Sequence, residues 1–291
     1  MKKSNLKYVL IAGSNSFSGL NLSKFLIKKK CHVLGTYNKK RPNLRSKYFV
    51  SKKIDLRKKF FLNENVDTII HISSHHKIHD FNKSSNIKYN ENILMTENLI
   101  NFAGKKNVKN LIFFSTIDIK EKIKPKKKVE YIRSKIKSEY LYSLSLKKRI
   151  FKKVLFLRLP AILGKNCNDN FLKNTIKNLK LNKPIKIWNN QKLYDNFIHI
   201  ENLNNLIYYF FSNTSGLKRK FIECKVKNPM TLEKTIFYLK KFIKSKSKIN
   251  TIKVNKKIKN VKKKKKVLKY NFFTSKKTLL LFLKDNKINY K

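Results

Sequence analysis

The feature that most constrains the fold is a short apolar run near the start of the chain, residues 8–12, which ends at a glycine. The run is continuously apolar and partly β-branched, as is typical of a strand buried on both faces of a parallel sheet. Gly13 and Gly19 follow it, and apolar residues then recur at helical spacing over residues 20–26. The sequence therefore predicts a strand, a tight turn and a helix, the opening unit of a doubly wound α/β sheet.

The turn between this strand and helix has the spacing of a dinucleotide fingerprint. Such a turn aims the free N–H groups of a helix N-terminus at a pyrophosphate. We therefore predict cofactor contacts from Gly13, Ser16, Phe17 and Gly19. Ser16 takes the place of a glycine in the G-x-x-G-x-x-G form, so an ordinary strand-to-helix turn is the alternative interpretation.

The second apolar run, residues 32–37, bears on the choice of cofactor. An acid near the end of this strand would accept a hydrogen bond from the adenosine ribose, but no Asp or Glu occurs before Asp55. Asn38, Lys39 and Arg41 occupy the region instead, and cations there suit a ribose 2′-phosphate. We therefore predict NADP as the preferred cofactor, with NAD as the alternative.

A second constellation follows the apolar run at residues 111–114. That run ends near Thr116, and Tyr131 and Lys135 come later on a helical period. Four residues apart, Tyr131 and Lys135 share one helix face, where a cation stabilises a phenolate and lowers its pKa from about 10. We predict Thr116, Tyr131 and Lys135 as catalytic residues, with the phenol as general acid and base.

The order of these motifs resembles that of the extended short-chain dehydrogenase/reductases, specifically the NAD(P)-dependent epimerase/dehydratase branch that acts on nucleotide sugars. The resemblance covers about residues 7–240. Besides the glycine turn and the Tyr131–Lys135 pair, it is carried by Asp55-Leu56, His71-Ile-Ser-Ser74, Asn92, Ser115-Thr116, Leu157-Arg-Leu-Pro160 and Phe197-Ile-His-Ile-Glu201. It implies that Tyr131 is the catalytic acid or base, that Lys135 binds the nicotinamide ribose and that Thr116 holds the reacting oxygen.

The resemblance also implies further cofactor contacts. Asp55 would meet the adenine, Leu56 and Ser73 would line the same site, and Asn92 would brace the active-site helix. Asp55 has an equally good alternative as the N-cap of a helix over residues 56–63, since Asp caps helices well.

Substrate contacts are expected from His75, His76, Asn168 and Lys192. The family commonly has an Arg-Asp pair before the Phe-Ile-His segment, whereas this chain has Asp195-Asn196, so the diphosphate anchor is missing or has moved to Lys192. Four histidines within residues 71–79 have spacings that suit a metal site, but no carboxylate or cysteine cluster completes one, and we predict no metal.

The alternation of strands and helices predicts a Rossmann-type parallel sheet over residues 1–161, completed by about residues 197–212. Residues 162–291 would form a smaller substrate-binding lobe with a basic tail. In it we expect a helix at 171–181, with residues 221–226 and 232–243 covering the substrate side of one cleft.

The formal net charge of +55 suggests a different function, the binding of a polyanion. Lysines are scattered along the whole chain, which favours drift in composition over selection for a nucleic-acid ligand. The alternative is a catalytically silent Rossmann protein that binds RNA or another polyanion, but such a protein has no use for Thr116, Tyr131 and Lys135.

The reaction type stays open between two enzymes. A sugar-nucleotide epimerase and a ketoreductase both use hydride transfer with a tyrosine acid/base, and a dehydratase is disfavoured because Ile117-Asp118 replaces the usual Asp-Glu pair. Three widely spaced cysteines, no signal peptide and no spanning apolar stretch fit a cytoplasmic protein with no membrane partner. A small-molecule substrate, an activated sugar, is expected, and a homodimer is kept open.

Overall fold

The computed structural model describes residues 8–75, 85–120, 129–189, 193–212, 218–253 and 270–288. The chain divides into two compact units: Met1–Leu159 with Ile207–Glu223, and Pro160–Leu206 with Cys224–Lys291. Among the described residues, no helix is long and apolar enough to cross a bilayer.

The first unit is built on a seven-stranded parallel sheet with strand order β11-β6-β5-β4-β1-β2-β3. Its strands are β1 (Tyr8–Ala12), β2 (His32–Tyr37), β3 (Phe49–Lys53), β4 (Thr68–His71), β5 (Asn110–Thr116), β6 (Lys153–Leu159) and β11 (Arg219–Glu223). Its helices include α1 (Phe17–Lys28), α2 (Ser85–Lys106) and α3 (Val129–Lys147), and α5 (Ile200–Ser212) enters it at Ile207. The prediction of a Rossmann-type, doubly wound sheet is confirmed.

Strand order reverses between β1 and β4, so the crevice beyond their carboxyl ends is the expected ligand site of such a sheet. One core cluster holds α2, α3 and the central strands together. Leu10, Leu99, Leu111 and Phe156 are fully buried in it, and burial of each such side chain contributes about 1.5–3 kcal/mol.

The strand that completes the sheet is not in the predicted segment 197–212. Residues 197–199 form a strand of the second unit and 200–212 form a helix, whereas β11 at Arg219–Glu223 pairs with β6. As an edge strand, β11 buries only Ile222 fully and exposes Arg219 and Phe221, so it lacks the apolar run of an interior strand.

The described residues of the second unit form three two-stranded sheets and three helices, besides the first residues of α5. The pairs are β7 (Ala161–Leu163) with β10 (Phe197–His199), β8 (Ile185–Asn189) with β13 (Ile249–Lys253), and β9 (Leu193–Tyr194) with β12 (Met230–Thr231). The helices are α4 (Phe171–Lys180), which confirms the helix expected at 171–181, α6 (Leu232–Ile243) and α7 (Ser275–Asp285). His199 is buried and shares a hydrogen bond with the Asp285 carboxylate at 3.1 Å, which ties α7 to β10.

Candidate active site

The glycine turn, residues 13–19, is held by close backbone packing. Gly13 has a φ of +96°, and a Cβ there would lie 2.9 Å from the backbone nitrogen of Ser73. A Cβ on Gly19 would lie 2.2 Å from the carbonyl oxygen of Gly13. Both glycines are therefore required by space, and Gly13 also by its left-handed conformation.

Ser16 departs from the glycine pattern without strain. Its φ of −70° is open to any residue, and it is the N-cap of α1, which begins at Phe17. The Ser16 hydroxyl donates to the carbonyl oxygen of Gly13 at 2.8 Å and accepts from the N–H of Gly19 at 3.1 Å. Because both bonds stay within the turn, the serine preserves the geometry that the glycine spacing predicts.

A cavity of about 160 Å³ lies beside this turn. Six of the predicted site residues line it: Gly13, Asn38, Asp55, Leu56, Ser73 and His75. Unpredicted residues complete the wall: Asn15, Thr36, Tyr37, Ile54, Arg57, Ser74 and Met95. Ser16, Phe17, Gly19, Lys39, Arg41 and Asn92 are not among its lining residues.

The residues of this cavity fit a dinucleotide. The buried Ser73 hydroxyl has no hydrogen-bond partner among the described residues. The two glycines leave a cradle that a side chain would fill, and the N-terminus of α1 presents backbone N–H groups. Free donors and a positive helix end are what a pyrophosphate needs.

Asp55 is neither a helix cap nor a free carboxylate. No helix occurs over residues 56–63, so the N-cap interpretation is wrong. Arg57 instead donates from its backbone N–H and Nε to Oδ1 of Asp55 at 3.1 and 2.8 Å, and from Nη2 to Oδ2 at 2.7 Å. The Arg57 guanidinium holds the pKa of the Asp55 carboxyl below its ordinary value.

Arg57 also links Asp55 to Glu91 on α2. Its Nη1 donates to Glu91 Oε1 at 2.7 Å, and Glu91 Oε2 lies 2.9 Å from His75 Nε2 and 3.1 Å from Lys88 Nζ. Sequence reasoning missed Arg57 and Glu91 because the two are 34 positions apart and neither lies in a recognisable spacing.

Asn92 joins the loop after β4 to α3. Its Oδ1 accepts from the N–H of His75 at 2.8 Å, and its Nδ2 donates to the carbonyl oxygen of His75 at 3.2 Å and to Ser134 Oγ at 3.0 Å. Ser134 in turn donates to the carbonyl oxygen of Tyr131 at 2.8 Å. His76 lies outside the described residues.

The three predicted catalytic residues lie on neighbouring elements of the first unit. Thr116 is the last residue of β5, and its Oγ1 accepts from the N–H of Asp118 at 3.2 Å. Tyr131 and Lys135 lie on α3, with Lys135 Nζ 5.7 Å from the centre of the Tyr131 ring. Lys135 is 3% exposed and donates to the carbonyl oxygen of Phe114 at 2.8 Å, which anchors the amine at the end of β5.

The pKa values of Tyr131 and Lys135 differ from those that the sequence predicts. Burial lowers the pKa of Lys135 to about 7, against the opposing charge of Glu139. Burial raises the pKa of the Tyr131 phenol, and the negative charge of Asp118 raises it further. The predicted lowering of the phenol pKa is therefore wrong here, because desolvation of both groups outweighs their attraction.

His71, the first of the clustered histidines, is a core residue at the end of β4. It is 2% exposed, and its Nδ1 shares a hydrogen bond with Tyr142 Oη at 2.8 Å. Burial, followed by the charge of Lys135, lowers its pKa well below the ordinary value, so the ring is neutral. In the described part of the chain, no group of three potential metal-binding side chains comes together.

Of the two predicted substrate residues of the second unit, Asn168 lies just before α4. The carbonyl oxygen of Asn168 accepts from Asn170 Nδ2 at 2.9 Å, and Asn170 caps α4. Lys192 is outside the described residues. Lys225 Nζ lies 3.4 Å from Asp195 Oδ2, so the carboxylate that replaces the expected cation is paired locally.

Comparison with known proteins identifies the family. Residues 9–222 match the model of the NAD dependent epimerase/dehydratase family. No curated protein sequence is significantly similar to the chain.

Solved structures share the whole fold at low identity. The UDP-glucuronic acid 4-epimerase from Bacillus cereus, in complex with NAD, is 18% identical with a TM-score of 0.74, and 98% of this chain covers 100% of that one. The UDP-N-acetylglucosamine 4-epimerase from Methanobrevibacter ruminantium, in complex with UDP-N-acetylmuramic acid, is 15% identical with a TM-score of 0.75, over 97% and 98% of the two chains. The UDP-glucose 4-epimerase from Thermotoga maritima, with UDP-glucose, is 13% identical with a TM-score of 0.72, over 96% and 98%.

At these identities the likeness to solved structures establishes the fold, and the family match over most of the sheet establishes the kinship. The seven-stranded parallel sheet of the first unit agrees with both. The chain belongs to the NAD dependent epimerase/dehydratase family.

Proposed function

We propose that this chain is an NAD(P)-dependent sugar-nucleotide epimerase in which Tyr131 is the general acid and base. The observation that carries the proposal is the placement of Thr116, Tyr131 and Lys135. Lys135 is fixed to the end of β5 by the carbonyl oxygen of Phe114, two residues before Thr116. Tyr131, one helical turn earlier, lies within 5.7 Å of the same amine.

The cofactor would occupy the cavity beside the glycine turn. Gly13, Ser73 and the N-terminus of α1 would hold its pyrophosphate, while Asn38, Asp55 and Leu56 would line the adenosine side. Lys135 would donate to hydroxyls of the nicotinamide ribose. The bound dinucleotide would supply reversible hydride transfer at the substrate carbon.

The residues of the chain would handle the proton and the reacting oxygen. Tyr131 Oη, as the phenolate, would take the proton from the substrate hydroxyl as it becomes a carbonyl, and the resulting phenol would give it back on return. Thr116 Oγ1 would hold the same oxygen by a hydrogen bond. The Lys135 ammonium would stabilise the phenolate before it takes the proton.

A sugar nucleotide is the proposed substrate, on two further observations. Trp188 in β8 is 60% exposed with Lys186 Nζ 5.9 Å from its ring centre, and an exposed aromatic ring of this kind can stack on a base. Asp195 would repel a diphosphate, but its pairing with Lys225 removes part of that repulsion. The three structural relatives named above are themselves UDP-sugar 4-epimerases.

A ketoreductase is the second candidate. Burial and Asp118 keep the Tyr131 phenol protonated, and a protonated phenol is the form that donates to a ketone. The cations Lys39 and Arg41 and the missing acid after β2 favour NADPH, the usual reductant. A reductase consumes one NADPH per product, whereas an epimerase consumes none, so the two are separable by stoichiometry.

The test is a panel of UDP-, GDP- and dTDP-sugars, each mixed with the protein and with NAD(H) or NADP(H). We expect thermal stabilisation by a dinucleotide and further stabilisation by at least one sugar nucleotide. Turnover of simple keto or hydroxy compounds, with no sugar nucleotide bound, would overturn the substrate assignment. Binding of RNA without any dinucleotide would favour the polyanion alternative.

The cytoplasmic location and the homodimer stay predictions.

A further inference from the structure

A buried charge network lies one helical turn beyond Lys135. The Glu139 side chain on α3 is 7% exposed. Ser115 Oγ donates to its Oε1 at 2.6 Å, and Arg158 donates from Nε to Oε1 at 3.0 Å and from Nη2 to Oε2 at 2.7 Å. Three elements of the first unit, β5, α3 and β6, are joined through this one carboxylate.

Both carboxylate oxygens of Glu139 have hydrogen-bond partners, which makes the geometry of the network specific. A buried ion pair stabilises only when its remaining hydrogen-bonding groups are satisfied, and a shift of any member leaves a buried charge unpaired. Both Glu139 oxygens are occupied, and the Arg158 guanidinium also lies 4.8 Å from the Phe221 ring. A displacement of α3 along β5 would therefore be opposed by all three bonds.

Each end of the network adjoins a residue of the proposed site. Ser115 directly precedes Thr116, and Glu139 follows Lys135 at i+4, so the two side chains share one helix face. Besides Glu139 and its partner Arg158, the charged or titratable groups that the described residues place near Lys135 are Tyr131 on the same helix and His71 of β4, which is neutral. Asp118 acts on Tyr131 from the turn after β5. Glu139 is thus the group that offsets the desolvation of the amine.

We propose that Glu139 is a positioning residue of the active site, which fixes α3 against the ends of β5 and β6 and places its carboxylate one turn from Lys135. It touches no reacting atom; it acts through Ser115 on Thr116 and through its charge on Lys135. This inference rests on the proposed dinucleotide site but is independent of which sugar is the substrate.

The test is the pH dependence of NADPH binding, followed by the fluorescence of the bound dinucleotide. Since the Lys135 ammonium is the better donor to ribose hydroxyls, wild-type affinity should fall as pH rises through about 7, the pKa of Lys135. In Glu139→Gln the charge is lost, so we expect the midpoint of this fall to move about one pH unit lower.

Two matched variants separate charge from position. Glu64→Gln removes a carboxylate paired with Lys52 at 2.9 Å on the same unit, and should leave the midpoint unchanged. Glu139→Asp keeps the carboxylate but moves it back by one methylene. NADPH affinity should therefore fall several-fold, while the pH midpoint of its fall stays unchanged. If Glu139→Gln fails to fold, the double variant Glu139→Gln/Arg158→Gln, which leaves no unpaired charge, takes its place.

A second measurement needs no cofactor. Lys135 releases its proton at about pH 7 in the folded chain and at about 10.4 when unfolded, so stability gains as pH rises between these values. In Glu139→Gln the gain in the urea midpoint should begin about one pH unit lower than in Glu64→Gln. If the urea midpoint began to rise at the same pH in both variants, the proposal would be overturned, even if no dinucleotide bound.

Discussion

The glycine turn at residues 13–19 and helix α3 hold their functional groups by different means. In the turn, Gly13 and Gly19 leave no room for a Cβ, so close backbone packing is the main constraint on its shape. On α3, buried side-chain charges set the position: Lys135 is bound to the carbonyl oxygen of Phe114, and Glu139 is bound to two neighbouring strands. The comparison teaches that excluded volume fixes the cofactor side of the site, whereas hydrogen-bonded charge fixes the proposed chemical side.

If α3 carries the chemistry, turnover should depend most strongly on the Tyr131 hydroxyl. Tyr131→Phe should lower turnover by about 10²–10⁴, because the proton transfer to the reacting oxygen is lost. Dinucleotide binding should persist, since the glycine turn is untouched. Tyr140→Phe is the matched control, because Tyr140 lies on the same helix and is 54% exposed. Wild-type turnover in Tyr131→Phe would remove α3 from the chemistry.

If excluded volume sets the turn, one methyl group should disrupt it. Gly19→Ala places a Cβ 2.2 Å from a backbone oxygen and should cost about 1–3 kcal/mol in the free energy of unfolding, with dinucleotide affinity falling too. Gly104 lies within α2, and a Cβ there would lie 3.9 Å from the nearest atom, Ile150 Cγ2. Gly104→Ala should therefore stabilise the fold by about 0.5–1 kcal/mol. Equal effects of the two in urea unfolding would contradict the steric account.

The Ser16 side chain, which supports the turn, should matter less than the two glycines. Ser16→Ala removes the N-cap of α1 and should cost about 1 kcal/mol, measured by urea unfolding. Ser16→Gly should cost only a few tenths of a kcal/mol, because glycine is itself an acceptable N-cap. A larger loss for glycine than for alanine would show that the hydroxyl is not acting as a cap.

The smallest effect is expected from the exposed cations after β2. Replacing Lys39 and Arg41 together by alanine should weaken NADPH binding by about fivefold and leave NADH binding unchanged, since exposed ion pairs contribute little. Arg41 Nε already donates to Ser51 Oγ at 3.2 Å, so part of its capacity is used. Lys105→Ala/Lys109→Ala, an equal loss of charge beside the amino end of β5, is the control. Tighter binding of NADH than NADPH by the wild type would show that the missing acid reflects composition alone.

The part of the fold with a local signature was predictable from the sequence. The strand, turn and helix of residues 8–28 and the α3 helix have short-range periodicity, and the structure has both. The seventh strand was not predictable, because β11 is an edge strand that exposes Arg219 and Phe221. The helix expected after Asp55 is absent, since Arg57 turns back on that carboxylate.

The electrostatics of the site were not predictable either. The spacing of Tyr131 and Lys135 correctly predicts that they share a helix face, but it carries no information about burial, and burial reverses the expected direction for the phenol pKa. The pairs Arg57–Glu91 and Ser115–Glu139 join residues 34 and 24 positions apart. Such contacts depend on the packed sheet and helices and leave no periodic trace in the chain.

The most direct test of the central claim is the fate of the transferred hydride. A sugar nucleotide that the protein binds would carry deuterium at the carbon of the reacting hydroxyl, and the wild-type protein would be supplied with a trace of dinucleotide. The account predicts that the epimer appears with its deuterium retained and with no net change in the nicotinamide absorbance band. Loss of the label to solvent, or no epimer from any sugar nucleotide that binds, would contradict it.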